Sequence, residues 1–558
     1  MASNDTAQPI KGGRTLIQTL LARVESDPDR LYGSFPLTHD IEDGFYDFTF
    51  GELGRAVDHC AWMIKDCYGT STHSETLLFM GARDFCYTIV FLCCLEVRLQ
   101  GYCENCHEAT ECSVLTGVAQ ACFPNTGSSI SDNCSILDQV GCTKALHTAY
   151  TKELLEACQK SRPQLCLLEL PTLQQFFEAL ARPFQYTPRP WEEAKHDPML
   201  VIHSSGTTGA PKPLVLRNGY IKGLDSHWSG GGAQMSMFDK LDGAFYYTPF
   251  PAYHLGGFLS MTVMPTMSMY STPVMAPPGH YAMRDGPLVL RIIEKRNVKM
   301  IVASPALLEA ISQMPNGTST SATLDCVGFG GGPLRESLGD ELSSQNVRLI
   351  NIYGSSEACW LPTRTTEMVD WEWLDFHPDL KIDWRDAGHG DGTHELCFAD
   401  EAPVVNELRG TYWSLQRKDW RSKDIFVQHE TKPWLWKLSG RQDDMLILAT
   451  GSMINPIPME DIVAADESVS GALMGGENRW PPCMLVECQD PCGDVQAFVQ
   501  QIWPRIEAAN ELVREDSRIP YRNVAVVGPG LFVRNPKGGV VRGRTVQKLA
   551  NTIDGMYT

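Results

Sequence analysis

Ser204-Ser205-Gly206-Thr207-Thr208-Gly209-Ala210-Pro211-Lys212 follows directly on the short apolar run Met199 to His203. A strand that runs into a glycine-rich loop is where anions bind in α/β proteins. The loop carries hydroxyls at Ser204, Ser205, Thr207 and Thr208, one cation at Lys212, and two glycines, Gly206 and Gly209, that let backbone amides approach an anion. Those groups suit a triphosphate. The loop is not of the Walker type, because no Gly-Lys-Ser/Thr string closes it.

Outward from this loop the chain reads as alternating strands and helices. Before it, apolar residues recur at helical spacing from Arg14 to Val24 and from Phe50 to Ile64, with a short alternating strand from Phe45 to Phe50. After it come a helix at Leu288 to Arg296, a strand at Lys299 to Ala303 and a helix following Pro305. A strand at Leu324 to Phe329, a turn at Gly330 to Pro333, a helix at Arg335 to Ser343 and a strand at Val347 to Ile352 complete the run. Such alternation predicts a largely parallel sheet covered by helices, with ligands at the carboxyl ends of its strands. The Trp-, Asp- and Gly-rich stretch Trp371 to Asp419 reads as a small β subdomain, and a separate unit is expected to begin after Arg441.

Composition narrows the function. The 558 residues, 43% of them hydrophobic, suffice for one large domain and a smaller one. With 47 basic against 67 acidic residues the formal charge is -20, which disfavours nucleic acid and anionic membranes as partners. Met1 to Thr15 is polar and no apolar stretch reaches the length of a membrane span, so a soluble, cytoplasmic protein is expected. The 19 cysteines lack regular spacing and read as reduced thiols used as small apolar residues.

Further motifs follow the loop: Asn351-Ile352-Tyr353-Gly354-Ser355-Ser356-Glu357, then Lys423-Asp424-Ile425-Phe426, Gly440-Arg441-Gln442-Asp443-Asp444, and Pro536-Lys537-Gly538-Gly539. Together with the loop they resemble, in order, the core motifs of the adenylate-forming superfamily of acyl-CoA ligases, luciferases and adenylation domains. The resemblance implies a large N-terminal multi-sheet α/β domain, residues 1–441, and a small mobile C-terminal α+β domain, residues 442–558. It implies ATP and Mg²⁺ as cofactors, with Ser204, Ser205, Gly206, Thr207, Thr208, Gly209 and Lys212 on the phosphates. Gly331, Gly332, Tyr353, Gly354 and Ser356 would hold the nucleotide, Tyr353 by stacking on adenine, while Glu357 would bind the metal. Asp424 and Arg441 would hold the ribose and Asp443 would be the hinge. Lys537, with Thr207, Thr208, Glu357 and His254, would act in catalysis.

Lys537 precedes its glycine, an order that resembles fungal synthetase-like adenylation domains, including those of carboxylic acid reductases. Ser26 to Arg30, Asp43 to Val57, His429 to Trp436 and Asn455 to Glu460 are similar to the same subfamily. By that likeness Tyr253, His254, Ser304, Phe329 and Gly330 line the acid pocket. No Asp stands beside Tyr253 to meet a substrate ammonium, so an aryl, keto or aliphatic acid is expected rather than an α-amino acid. The thiol acceptor implied is a carrier protein's phosphopantetheine or coenzyme A, supplied from elsewhere because the chain ends soon after Lys537. A free-standing acyl-CoA ligase and a non-catalytic nucleotide-binding remnant stay open as alternatives. Thr450-Gly451-Ser452-Met453 stands where relatives usually carry Asn-Gly-Glu-Lys, which bears on thioester formation.

The remaining signals are weaker. Cys103-Glu104-Asn105-Cys106-His107 spells a haem-attachment string, and Gly223-Leu224-Asp225-Ser226 imitates a carrier-domain serine motif. Both read as chance. Val97 to Gln120 departs from the family pattern and reads as an inserted loop or translated intron sequence. The methionine-rich run Met261 to Met269 reads as core packing, with an acyl tunnel as its alternative.

Overall fold

Thr49 and Glu52 decide where the first strand-to-helix transition falls. Thr49 Oγ1 accepts from the Glu52 amide at 3.2 Å, and the Glu52 carboxylate accepts from the Thr49 amide at 2.8 Å. This reciprocal cap satisfies two helix-end donors. The helix Phe50–Tyr68 therefore starts at once and buries Leu53, Val57 and Ile64. Further on, the Asp285 carboxylate caps the helix Gly286–Arg296 by accepting from the Leu288 amide at 3.0 Å. Asn297, at φ 48°, ends it in the left-handed conformation that asparagine tolerates.

The computed structural model describes residues 13–69, 75–96, 119–124, 130–186, 188–204, 212–221, 243–267, 271–277, 285–387, 392–398, 420–442, 445–449, 453–513, 515–534 and 538–557. Within them β1 (Leu31–Pro36), β2 (Phe45–Thr49), β3 (Glu75–Met80), β4 (Ala119–Cys122), β5 (Lys144–His147), β6 (Cys166–Glu169), β7 (Pro198–Ser204), β8 (Lys212–Arg217), β9 (Phe245–Tyr247), β10 (Thr272–Val274), β11 (Met300–Ala303), β12 (Cys326–Gly330) and β13 (Leu349–Ile352) form two sheets. Their orders are β6-β5-β3-β4-β7-β8 and β13-β12-β11-β9-β10-β1-β2. Neighbours pair in parallel, except that β8 runs against β7 and β2 against β1 at the sheet edges.

Register aligns the carboxyl ends. Ala303 lies opposite Phe329, Gly330 opposite Ile352, and Val274 opposite Tyr247. Ser304, Gly331, Tyr353, Thr248 and Met275 consequently follow their strands along one edge of the second sheet. In the first sheet the β7–β8 hairpin pairs Ser204 with Lys212. The intervening loop, like the two chance motifs at Cys103 and Gly223, lies outside the described residues.

Short two-stranded pairs follow, β14 (Gly354–Ser355) with β15 (Cys359–Trp360) and β16 (Thr363–Arg364) with β17 (Asp375–Phe376). An antiparallel sheet of β18 (Ile382–Asp386), β19 (His394–Phe398), β20 (Trp420–Gln428) and β21 (Trp436–Arg441) comes next. Its strands β18 and β19 fall within the tryptophan-rich stretch Trp371 to Asp419 read as a β subdomain, whereas β20 and β21 extend the sheet beyond that stretch to Arg441. Beyond Arg441 lie β22 (Leu446–Ile447), β23 (Met453–Ile454), β24 (Val469–Gly475), β25 (Cys483–Cys488) and β26 (Val524–Val527), packed by the helices Ile457–Ala464 and Val495–Asn510. The molecule is thus α/β, with a large multi-sheet N-terminal part and a separate, smaller C-terminal α+β part.

The expected helices and strands between Leu288 and Ile352 are all present, with ends displaced slightly. One expectation needs correction. Ala119 and Gln120, read as the end of an insertion, are the first residues of β4, inside the sheet between β3 and β7. Residues 97–118 lie outside the described part. The described cysteines carry free thiols and most are buried, as their reading as apolar residues requires. Among the described residues no helix is long and apolar enough to cross a membrane.

Candidate functional site

Tyr353, Asp424 and Arg441 come from three different elements and meet in one cluster. Tyr353 follows β13 and is 7% exposed. Its hydroxyl donates to Asp424 Oδ2 at 2.5 Å, and Arg441 Nη1 donates to Asp424 Oδ1 at 2.8 Å. Asp424 and Arg441 are direct cross-strand partners on β20 and β21, which places opposite charges face to face. Lys423 holds a left-handed φ of 63° beside a register shift, and Ser422 Oγ accepts from the Asp424 amide at 3.0 Å. That kink re-aims the strand and presents the carboxylate to Tyr353.

Aromatic packing fixes the Tyr353 ring. Phe376 and Phe426 meet it edge-on at 5.7 and 5.2 Å between centroids, an arrangement worth roughly 0.5–1.5 kcal/mol per pair. Burial, reinforced by the adjacent Asp424 carboxylate, holds the Tyr353 hydroxyl well above the usual phenol range. It therefore stays a proton donor at all ordinary pH values.

The glycines Gly330, Gly331 and Gly332 shape the neighbouring edge. A Cβ on Gly330 would stand 2.6 Å from the Ile352 carbonyl oxygen, Gly331 has a φ of +82°, and a Cβ on Gly332 would meet nothing within 4 Å. The first two need glycine for geometry, and the third leaves open space over the strand end.

Gly354 begins a tight hairpin in which a Cβ would fall 2.5 Å from the Cys359 carbonyl oxygen. Ser355 Oγ accepts from the Ala358 amide at 3.0 Å, so Ser356 and Glu357 occupy the turn. Tyr220, which follows β8, donates its hydroxyl to the Ser356 carbonyl at 3.0 Å. Burial, with Cys359 and Glu357 near by, raises its pKa well above the ordinary value. One buried phenol thus joins the hairpin that carries the glycine-rich loop to the turn that carries Glu357. Nothing in the string Asn218-Gly219-Tyr220 announces this from sequence.

The acid-pocket candidates divide. Tyr253 is 4% exposed, and its hydroxyl accepts from Arg83 Nη2 at 3.0 Å. His254 caps the short helix Leu255–Phe258, its Nδ1 accepting from the Gly256 amide at 3.1 Å, so any proton of the neutral ring sits on Nε2. Ser304 caps the helix Pro305–Ser312, with Oγ accepting from the Leu307 amide at 3.4 Å. Phe329 is 1% exposed and packs on Trp371 at 5.9 Å, within the core under the helices. A small cleft of about 30 Å³ lies among Arg83, Phe250, Pro251, Met261 and Met275. Among the described residues of the methionine run Met261 alone stands at the cleft wall, while Met264 and Met267 are core.

In the C-terminal part the segment around Lys537 is anchored on both sides. Arg534 and Val540 form an isolated bridge, Gly538 takes a φ of +89°, and Arg534 pairs with the buried Glu487. Arg542 donates to both oxygens of Glu460 at 2.7 and 2.6 Å. Asn455 reaches back to the Ser439 carbonyl at 2.8 Å, which ties the C-terminal part to the strand before Arg441. Ser205 to Gly209, Asp443 and Lys537 lie outside the described residues. Ser204 and Lys212 are described as strand backbone only.

A family model described as AMP-binding enzyme matches residues 103–380, and one described as AMP-binding enzyme C-terminal domain matches 443–558. A carboxylic acid reductase of Neurospora crassa is 26% identical over 98% of this chain and 51% of its own length. The isocyanide synthase-NRPS hybrid crmA of Aspergillus fumigatus is 23% identical over 100% of this chain and 34% of its own. The chain therefore spans about half of the first relative's length and about a third of the second's. The anthranilate CoA ligase AuaEII, solved in complex with anthranoyl-AMP, superposes with a TM-score of 0.73 at 14% identity, covering 97% of this chain and 98% of that one. The Bacillus subtilis O-succinylbenzoate coenzyme A synthetase, in complex with AMP, gives a TM-score of 0.67 at 15% identity, covering 94% and 97%.

Proposed function

Because the chain belongs to the family of AMP-binding, adenylate-forming enzymes, we propose that it activates a carboxylic acid with ATP and passes the acyl group to a thiol. The observation that carries this reading is the cluster in which buried Tyr353 and Asp424 meet the partly exposed Arg441 beside the glycine edge. Each carboxylate oxygen of Asp424 accepts a hydrogen bond from the protein, so the carboxylate is held in a fixed orientation, and by the family likeness it is the group that would meet the ribose hydroxyls. The Tyr353 ring supplies the face for adenine, with Gly331, Gly332 and Gly354 leaving room and Ser356 close to the phosphates.

In the reaction, a carboxylate oxygen of the acid attacks the α-phosphorus, and the bond to pyrophosphate breaks. Thr207, Thr208 and the other groups of the loop from Ser204 to Lys212 would hold the phosphates, and Lys537 would neutralise charge between acid and α-phosphate. Glu357 is the residue that would hold Mg²⁺. Among the described residues no three His, Cys, Asp or Glu side chains group to bind a metal, and one carboxylate fits an ion that takes its other ligands from phosphate and water. When bound, the ion offsets phosphate charge.

Residues 1–441 would form the adenylation core and residues 442–558 a mobile unit that turns about Asp443. The family models fall on either side of that boundary. The absence of an Asp beside Tyr253 favours an aryl, keto or aliphatic acid over an α-amino acid. For the acceptor we favour a carrier's phosphopantetheine, since crmA is named an NRPS hybrid. Incubation with acid, ATP and either coenzyme A or a separate carrier tests this. Acylated carrier is the expected product, and acyl-CoA formed in preference would replace the carrier by coenzyme A.

The Tyr220 contact makes a separate prediction. Tyr220→Phe is expected to lower kcat for adenylation between about tenfold and a hundredfold, the scale of an ångström-level misplacement. The KM for the acid should stay close to wild type, and stability should fall by about 1 kcal/mol. Steady-state kinetics with a denaturant melt would check both.

A further inference from the structure

Thr545 is wholly buried, in the helix Arg542–Lys548 that follows the glycines of the C-terminal motif. A hydroxyl in such a place costs free energy unless it is hydrogen-bonded. Both of its bonds go to one residue. Thr545 Oγ1 accepts from the Val533 amide at 3.0 Å and donates to the Val533 carbonyl at 3.3 Å. The same carbonyl accepts from the Val541 amide at 2.7 Å, and the Val541 carbonyl accepts from the Thr545 amide at 2.9 Å. Thr545 therefore holds both ends of the segment 533–541, one by its side chain and the other by its backbone.

Within that segment Arg534 and Val540 form an antiparallel bridge. The residues between them are 535–539, and Lys537 is the middle one. Residues 535–537 lie outside the described part, but the base from which they leave the protein is described on both sides. Its incoming limb is gripped on another side by Glu487, which accepts from the Phe532 amide at 2.7 Å and pairs with Arg534. Glu487 acts on that one limb, whereas Thr545 joins the two. Valine has nearly the shape of threonine and no acceptor. Thr545→Val would take from the Val533 amide the acceptor it has here and let the limbs shift against each other.

Resting on the adenylation reading, with Lys537 as its mobile cation, we infer that Thr545 is a positioning residue for that reaction, its hydroxyl holding the base from which Lys537 is presented to the acid and the α-phosphate. Thr545 itself touches neither. A charge stabilises a transition state best when it is fixed in place beforehand, and a misplacement of about an ångström costs about a hundredfold in rate.

Single-turnover pyrophosphate release by the full chain, with the acid that supports the fastest exchange, tests the inference. Wild type is compared with Thr545→Val, Thr545→Ser, Lys537→Ala and the double variant Lys537→Ala with Thr545→Val. Thr545→Val is expected to slow release by about tenfold to a hundredfold with the Kd for ATP unchanged. Thr545→Ser keeps the hydroxyl and should recover most of the rate. In the Lys537→Ala background Thr545→Val should cost less than about threefold more, because its effect passes through an ammonium that is no longer there.

Losses that multiply in the double variant, or a wild-type rate in Thr545→Val, overturn the inference and leave the adenylation reading standing. So does a Thr545→Ser no faster than Thr545→Val, which would make the position one of packing alone. A Lys537→Ala at the wild-type rate overturns it as well, since no lysine is then positioned. Rates are taken per folded molecule, from circular dichroism, and Thr545→Cys, with a weaker acceptor at the same place, enters each comparison if Thr545→Val does not fold. A wild type that releases no pyrophosphate with any acid removes the adenylation reading, and this inference with it.

Discussion

Lys537→Ala is expected to slow acyl-adenylate formation by roughly two to three orders of magnitude, the usual cost of removing one preorganised charge from a transition state. Binding of ATP should change little, because the cluster at Tyr353, Asp424 and Arg441 is untouched. The surroundings make this a clean test. The flanking residues are held independently, Arg534 by Glu487 and Arg542 by Glu460, so loss of the lysine should leave the C-terminal unit folded. Single-turnover measurement of pyrophosphate release, with ATP affinity from calorimetry, separates the two effects. Wild-type turnover in the variant would reassign the mobile cation to another residue.

Asp424→Ala should weaken ATP binding by about a hundredfold or more, since the variant loses an acceptor for ribose that is charged, ordered and buried. It should also destabilise the fold. Asp424 is 6% exposed and accepts from both Tyr353 and Arg441; removing it takes that acceptor from the buried Tyr353 hydroxyl, at a cost of about 1–3 kcal/mol, while the partly exposed Arg441 can turn to water. Asp424→Asn separates the two losses. The amide keeps one acceptor oxygen, so stability should recover in part while ATP binding stays impaired. Calorimetry with ATP and a thermal melt on both variants give the comparison. Undiminished ATP affinity in either variant would remove Asp424 from the nucleotide site.

Much of this was legible in the sequence because the chemistry sits in contiguous strings. Tyr353, Asp424 and Arg441 each lie in a local motif, and the parallel sheet that aligns Ser304, Gly331 and Tyr353 follows from a regular alternation of strands and helices. What a string cannot carry is a contact made across the fold. Tyr220 meets Ser356 over 136 residues and Arg83 meets Tyr253 over 170, and neither stands in a pattern that marks it. Phe329 shows a second limit. Its motif is suited to a pocket, but the alternation of β12 turns it with Val327 toward the helices, so it became core. His254 and Ser304 show a third, because both polar side chains cap helices that follow them immediately. The strand at Ala119 was hidden because β4 is short and its membership of the sheet is settled by pairing with β3 and β7.

The central claim is that a nucleotide held at Asp424 and Tyr353 is used to activate an acid. Acid-dependent exchange of radiolabelled pyrophosphate into ATP tests it most directly, because exchange requires reversible formation of an acyl-adenylate. Exchange is expected to depend on both an added carboxylic acid and Lys537. Binding of ATP without exchange in the presence of any acid across aryl, keto, aliphatic and amino acid panels would contradict it, and would make the chain a nucleotide-binding protein without adenylation chemistry.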